Sequence, residues 1–172
     1  RGLACDPKRV DEFRAGVARG IEYGTALGVP HLNCLAGKAP AGVEEAALRS
    51  TLVANLHFAA AELKKARLNL LIEPINRFDI PGFYLNTTAQ AVSVLDEVGA
   101  DNAYVQYDIY HAQRMEGELA NTLRQQLARI GHIQLADSPG RNEPGTGEIN
   151  YAFLSAHLDR IAPLLPPEVR HA

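Results

Sequence analysis

The feature that most constrains this chain is a regular alternation of two apolar patterns, one at helical spacing and one in short unbroken runs. Val10 to Leu27 places Phe13, Val17, Ile21 and Leu27 at helical spacing, and Gly28 follows where a left-handed helix-ending residue belongs. His31 to Leu35 is then a short apolar run between Pro30 and Gly37, which reads as a strand. The pair recurs. A helical pattern over Val43 to Ala66 leads to the run Leu68 to Ile72, which ends at Glu73-Pro74. A helix capped by Thr87 or Thr88 and stopped by Gly99 leads to Ala103 to Ile109, ending around Asp108. Gly117 to Ile130 reads as a further helix stopped by Gly131, and Ile133 to Ala136 as a fourth strand ending at Asp137. Asn150 caps a last helix, Tyr151 to Ile161, and Pro163, Pro166 and Pro167 forbid its continuation.

Strands that alternate with helices pair in parallel through right-handed crossovers. Short, nearly continuous apolar strands suit a sheet covered on both faces. An open doubly wound sheet and part of an eight-stranded barrel both satisfy this order. A dinucleotide-binding sheet carries G-x-G-x-x-G after its first strand, and none is present; Gly145-Thr-Gly147 is a lone G-x-G in a loop. Three strands instead end near residues able to bind a metal or a proton, namely Glu73, Asp108 and Gln134. Barrel chemistry collects at the C-terminal strand ends, so the pattern favours the barrel. Closure needs eight strands and four are counted. The expectation is therefore an α/β fold, a fragment of a (β/α)8 TIM barrel forming one partial domain over residues 1–172, with strands at both ends outside it. Such an open piece would expose two parallel edges and apolar interior residues.

Composition removes several function classes. With 17 Lys and Arg against 20 Asp and Glu, the net charge of −3 provides no basic face for a nucleic-acid backbone. No apolar run reaches the length of about 18 residues that a membrane helix needs. Cys5 and Cys34 are too few for a disulfide framework and lack zinc-site spacing, which suggests a reduced, cytoplasmic setting. Cys34 reads as a small core residue. His31, His57, His157 and His171 show no partner pattern, and no G-x-S-x-G nucleophile elbow appears.

The remaining candidates each carry a plain and a chemical reading. Glu73 is either a turn or capping carboxylate, or a metal ligand and general base left at the barrel mouth by a turn at Pro74 and Asn76. Asp108 shares a strand face with Gln106, and with Glu73 it suits a hard divalent cation such as Mg²⁺ or Mn²⁺. His111, just past that strand, is either structural or able to reach a substrate oxygen. Gln134, alone, reads first as a satisfied core amide, although its oxygen is an acceptable ligand in an oxygen-rich site. Arg141, in the polar loop Asp137 to Glu148, is either solvated or a two-pronged clamp for a substrate carboxylate.

Longer blocks bear on that choice. Ile72-Glu-Pro-Ile-Asn76 with Asp79-Ile-Pro-Gly-Phe83 is followed by Gln106-Tyr-Asp-Ile-Tyr-His111 with Gln113-Arg-Met-Glu-Gly-Glu118. Glu143-Pro-Gly-Thr-Gly-Glu-Ile-Asn-Tyr151 completes the set, and Gly37-Lys-Ala-Pro-Ala-Gly42 extends it toward the start. In this order they resemble the hydroxypyruvate isomerase family of xylose-isomerase-like (β/α)8 barrels. The resemblance implies that the chain runs from just before the fourth strand to before the eighth. It implies a divalent cation held by Glu73, Asp108, Gln134 and a final Glu beyond this chain. Glu73 is then one half of an acid/base pair, and His111 and Arg141 contact substrate. The implied reaction interconverts hydroxypyruvate and 2-hydroxy-3-oxopropanoate (tartronate semialdehyde) through an enediolate. A 2-oxo-tetronate isomerase is the nearest alternative, since the substrates differ by one hydroxylated carbon. A sugar epimerase is a third option, against which Gln134 argues. The last alternative is an inactive remnant that needs the missing strands. The expected partners are a small 2-oxo or hydroxy acid substrate and, as one option, further copies of the chain in a homo-oligomer, with no nucleic acid and no membrane.

Overall fold

Gly28 and Gly99 end their helices in the left-handed conformation, at φ 67° and 64°, so the helix stops expected from spacing are present. The computed structural model describes residues 2–164; Arg1, Pro166, Pro167 and His171 lie outside the described residues. Among the described residues four strands alternate with helices: β1 (His31–Cys34), β2 (Asn69–Ile72), β3 (Ala103–Asp108) and β4 (Ile130–Gln134). They lie in the sequential order β1-β2-β3-β4, every pair parallel. Helices α1 (Val10–Leu27), α2 (Glu45–Lys65) and α3 (Thr88–Val98) precede the first three strands. The hydroxyl of Thr87 accepts from the Gln90 N–H and so caps α3. Asn150 does the same for α6 (Tyr151–Ile161) through the Phe153 N–H. No helix of the described residues is long and apolar enough to cross a membrane.

Three elements depart from the sequence reading. A seven-residue helix, α4 (Ile109–Met115), begins directly at the end of β3, in the stretch before Gly117 to which spacing assigns no helix. The region read as one helix over 117–130 is α5 (Leu119–Gln126) followed by a single 3₁₀ turn, Leu127–Arg129. Gly131 does not stop a helix: it lies inside β4, which starts at Ile130 and ends at Gln134 rather than running to Ala136. The register slips there, with Val105 opposite Ile130 but Gln106 opposite His132. Gly131 is the extra residue of this bulge. A Cβ on it would lie 2.8 Å from the Tyr104 Cβ and 2.9 Å from the Leu71 Cδ2.

Side chains alternate along each strand, so the register sorts them onto two faces. Leu70, Ile72, Ala103, Val105, Tyr107 and Ile130 belong to the hydrophobic core with Leu52, Leu56 and Leu63 of α2 and Ala91, Val94 and Leu95 of α3. Pairing of Asn33 with Leu71, Leu71 with Tyr104, Gln106 with His132 and Asp108 with Gln134 defines the other face. That face is mostly polar, against the expectation of apolar interior residues. Helices α2 and α3 cover the apolar side, and the polar side carries the candidate site.

Candidate functional site

Glu73 follows β2 on the polar face and is only 6% exposed. Its Oε2 accepts a 2.6 Å hydrogen bond from Asn33 Nδ2 of β1. Burial raises its pKa, with the nearby Asp108 charge adding to the effect, while the Asn33 bond and the Arg141 charge act against it. Asp108 closes β3 and is 2% exposed. Its Oδ1 accepts from the backbone N–H groups of Tyr110 (2.9 Å) and His111 (3.2 Å), which turns the strand into α4. Its Oδ2 remains on the site side, 3.2 Å from the Arg141 guanidinium and 3.7 Å from His111 Nε2. One carboxylate thus builds the local fold with one oxygen and offers the other to chemistry.

His111 lies in the first turn of α4, buried at 2% exposure, with Nε2 also 3.8 Å from Glu73 Oε1. Burial lowers its pKa, and the Asp108 charge only partly offsets this. Glu73, Asp108 and His111 each present one ligand atom, all within 4.8 Å of one another. Two carboxylate oxygens at the centre of such a cluster fit a hard divalent cation. Gln134 lies opposite Asp108 in the strand register, and its Oε1 accepts from Gln106 Nε2 at 2.8 Å. An amide oxygen has a second lone pair, so that bond leaves it able to ligate. The structure therefore gathers Glu73, Asp108, His111 and Arg141 directly and brings Gln134 alongside through its strand.

Arg141 stands in a loop that is organised from within. The Asp137 side chain accepts from the N–H groups of Ser138 (2.9 Å), Ile149 (3.1 Å) and Gly145 (2.8 Å). Burial works to raise the Asp137 pKa, but these amides and that of Gly147 outweigh it and hold the carboxyl below its ordinary value. The Gly145-Thr-Gly147 turn thus gives a backbone amide to its own carboxylate, and no phosphate loop needs to be invoked. Arg141 itself takes a left-handed conformation (φ 56°), and its guanidinium lies 5.2 Å from the Tyr110 ring centre.

Sequence reading does not single out Asn33 or Asp79, which help hold these groups, and takes Asn76 only as part of a turn. Asn76 accepts from the N–H groups of Phe78 and Asp79 through Oδ1, and its Nδ2 donates to Asp79 Oδ2. Asp79 also accepts from the Tyr110 hydroxyl and pairs with Arg114. The available signal was local: Asn33 interrupts an apolar run, and Asn76 sits three residues beyond Glu73. Other expectations are met simply. Burial pushes the Cys34 thiol up to about 12, and the residue packs against the core. His57 and His157 bond to the backbone carbonyls of Val98 and Ala120.

A model of the family described as xylose isomerase-like TIM barrel matches residues 1–163. Hydroxypyruvate isomerase of Escherichia coli is 58% identical over 154 residues, which are 90% of this chain and 60% of that protein. The 2-oxo-tetronate isomerase of Cupriavidus necator is 42% identical over 94% of this chain and 62% of its own length. A crystal structure from Brucella melitensis, titled AP endonuclease, family 2, superimposes with a TM-score of 0.90 at 33% identity. It is matched over 94% of this chain and 62% of its own. The chain spans about three fifths of the length of these relatives.

Proposed function

The chain belongs to the xylose isomerase-like TIM barrel family, and from that premise we propose that it carries part of the active site of a hydroxypyruvate isomerase. The observation that carries this reading is the convergence of buried Glu73, Asp108 and His111 with Arg141 at the C-terminal strand ends. The 58% identity to the E. coli enzyme favours hydroxypyruvate over a 2-oxo-tetronate.

In this reading Glu73 takes a proton from the hydroxymethyl carbon of hydroxypyruvate, leaving an enediolate. Return of a proton to the adjacent carbon, with the hydroxyl proton passing from the terminal oxygen to the central one, gives 2-hydroxy-3-oxopropanoate, so one C–H and one O–H bond break, one of each forms and no electrons are exchanged with a cofactor. A raised pKa suits a carboxylate that must accept and release a carbon-bound proton near neutrality. Arg141 holds the substrate carboxylate, and His111 contacts a substrate oxygen. Glu73, Asp108 and Gln134 would hold a divalent cation, Mg²⁺ or Mn²⁺, which when bound supplies electrostatic stabilisation of the developing oxyanion. A second glutamate from outside this chain completes the acid/base pair.

The test uses the intact protein and its Glu73→Gln variant with hydroxypyruvate in D₂O, followed by NMR. Formation of tartronate semialdehyde with deuterium entering at carbon is expected, and a loss of roughly 10²-fold or more in the variant. Turnover of a 2-oxo-tetronate in place of hydroxypyruvate would move the substrate. An undiminished rate in Glu73→Gln would refute the assignment of the base.

A further inference from the structure

The hydrogen bonds around His111 determine which of its ring nitrogens carries the proton. Asn76 Nδ2 lies 2.7 Å from His111 Nδ1, and the Asn76 backbone N–H approaches the same nitrogen at 3.4 Å. The orientation of the Asn76 amide is not free. Its Oδ1 accepts from two backbone N–H groups, and the opposite end meets the Asp79 carboxylate at 3.0 Å, which can only accept. Turning the amide over would set oxygen against carboxylate and N–H against N–H. The group facing Nδ1 is therefore an NH₂, with one hydrogen for Asp79 and one for the ring. Nδ1 must accept, so in the neutral ring the proton sits on Nε2.

We infer that Asn76, itself held by Asp79, is a positioning residue that keeps His111 in the Nε2-protonated form. Asp79 is braced in turn by the Tyr110 hydroxyl and by Arg114, so the arrangement is tied to α4 as well as to the loop after β2. The consequence falls on the site. Nε2 faces Glu73 and Asp108 at 3.8 and 3.7 Å, too far for a hydrogen bond to either. A nitrogen that carries a proton has no lone pair for a metal ion. Despite its place in the cluster, His111 is then excluded from the cation's ligands and presents an N–H donor toward the space shared by the two carboxylates. There it can donate to a substrate oxygen on which negative charge develops. This deepens the proposed function and rests on that reading for the identity of the oxygen, but the tautomer itself does not depend on it.

The test is ¹⁵N NMR of the histidine rings in the intact protein, in Mg²⁺ buffer without substrate, with the His111 signals identified by their loss in His111→Gln. The expected wild-type spectrum shows a protonated Nε2 and a bare, hydrogen-bonded Nδ1. A protonated Nδ1 overturns the inference. In Asn76→Asp the Oδ1 contacts of the loop survive, but the donation to Asp79 is lost and a carboxylate oxygen faces both Asp79 and the ring. His111 should then protonate at Nδ1, and kcat should fall about 100-fold with a smaller change in KM. Lost activity with Nε2 still the sole protonated nitrogen would mean that Asn76 only shapes the loop, and would overturn the inference. If Asn76→Asp does not fold, Asn76→Ala leaves only the long backbone contact. It should show both tautomers in exchange, and a single unchanged Nε2–H form with full kcat would refute the assignment. Because the spectra need no substrate, a wild-type Nε2–H ring in a protein that ignores hydroxypyruvate would defeat the functional reading and uphold this one.

Discussion

Replacing Gly131 with alanine tests how the bulge in β4 holds the candidate site together. The added methyl would meet the Tyr104 Cβ at 2.8 Å, the Leu71 Cδ2 at 2.9 Å and the Tyr104 Cγ at 3.1 Å. Carbon atoms pack at about 3.5 Å or more, so relief at the closest contact asks for roughly 0.7 Å of movement. Leu71 can rotate its terminal methyl away. The Tyr104 Cβ cannot, because it is fixed to the backbone of β3, so β3 and β4 must separate. Overpacking of this kind costs about 2 kcal/mol, which lowers Tm by roughly 4–8 °C in a domain of this class. The displacement propagates to Gln134, three residues along β4 and opposite Asp108. Cation affinity is therefore expected to fall about tenfold, as when the support of a ligand is disturbed. Calorimetric unfolding and a Mg²⁺ titration of the intact protein measure both effects. Adding Leu71→Ala should recover some stability and little affinity, since the Tyr104 contact remains. A Gly131→Ala protein with unchanged Tm and unchanged affinity would refute the argument that this close approach sets the spacing of the two strands.

Glu73→Gln should raise the Tm of the metal-free protein near neutral pH, although it removes the proposed base. Burial makes the folded-state pKa of Glu73 higher than its unfolded value, so the native state binds more protons and stability declines as pH rises between the two. The gain in the variant should fade below the ordinary glutamate pKa of about 4.3; a gain that does not vary with pH would contradict the assigned cause. Asp137→Ala should free the amides of Ser138, Gly145 and Ile149, seen as faster hydrogen exchange at these positions. With Arg141 loosened, KM should rise roughly tenfold, about the worth of one charge-assisted hydrogen bond, with kcat changed less. Exchange and KM both at wild-type values would show that Asp137 does not organise the loop.

What could be read from the sequence follows from which interactions are local. The helix α1, the Thr87 cap, the stop at Gly99 and the Asn150 cap depend on residues within a few positions of one another, and each is found where spacing puts it. The errors have a common cause. Gly131 follows a helical pattern and looks like a helix end, yet its lack of a side chain serves contacts with Tyr104 and Leu71, 27 and 60 residues away by their numbers. The helix α4 was hidden because Tyr107, Ile109 and Tyr110 prolong the strand pattern across Asp108. The side chain of Asp108 ends the strand by capping the next element, and residue type alone does not distinguish a cap from a ligand.

That double use explains why the ends of the site are readable and its middle is not. Glu73 and Asp108 stand out because a carboxylate after an apolar run needs a reason to be there. Asn33, Asn76, Asp79 and Asp137 do not stand out, since Asn and Asp are ordinary residues of turns and loops. Their functions appear only when the chain closes, for Asn33 reaches Glu73 across 40 positions and Asn76 reaches His111 across 35. Asn76 makes its local turn with Oδ1 and reserves Nδ2 for the long-range contact. Asp108 divides its two oxygens in the same way. Truncation of either side chain to alanine therefore removes a fold contact and a site contact together. Only replacements that spare one of the two, such as Asn76→Asp, can separate the roles.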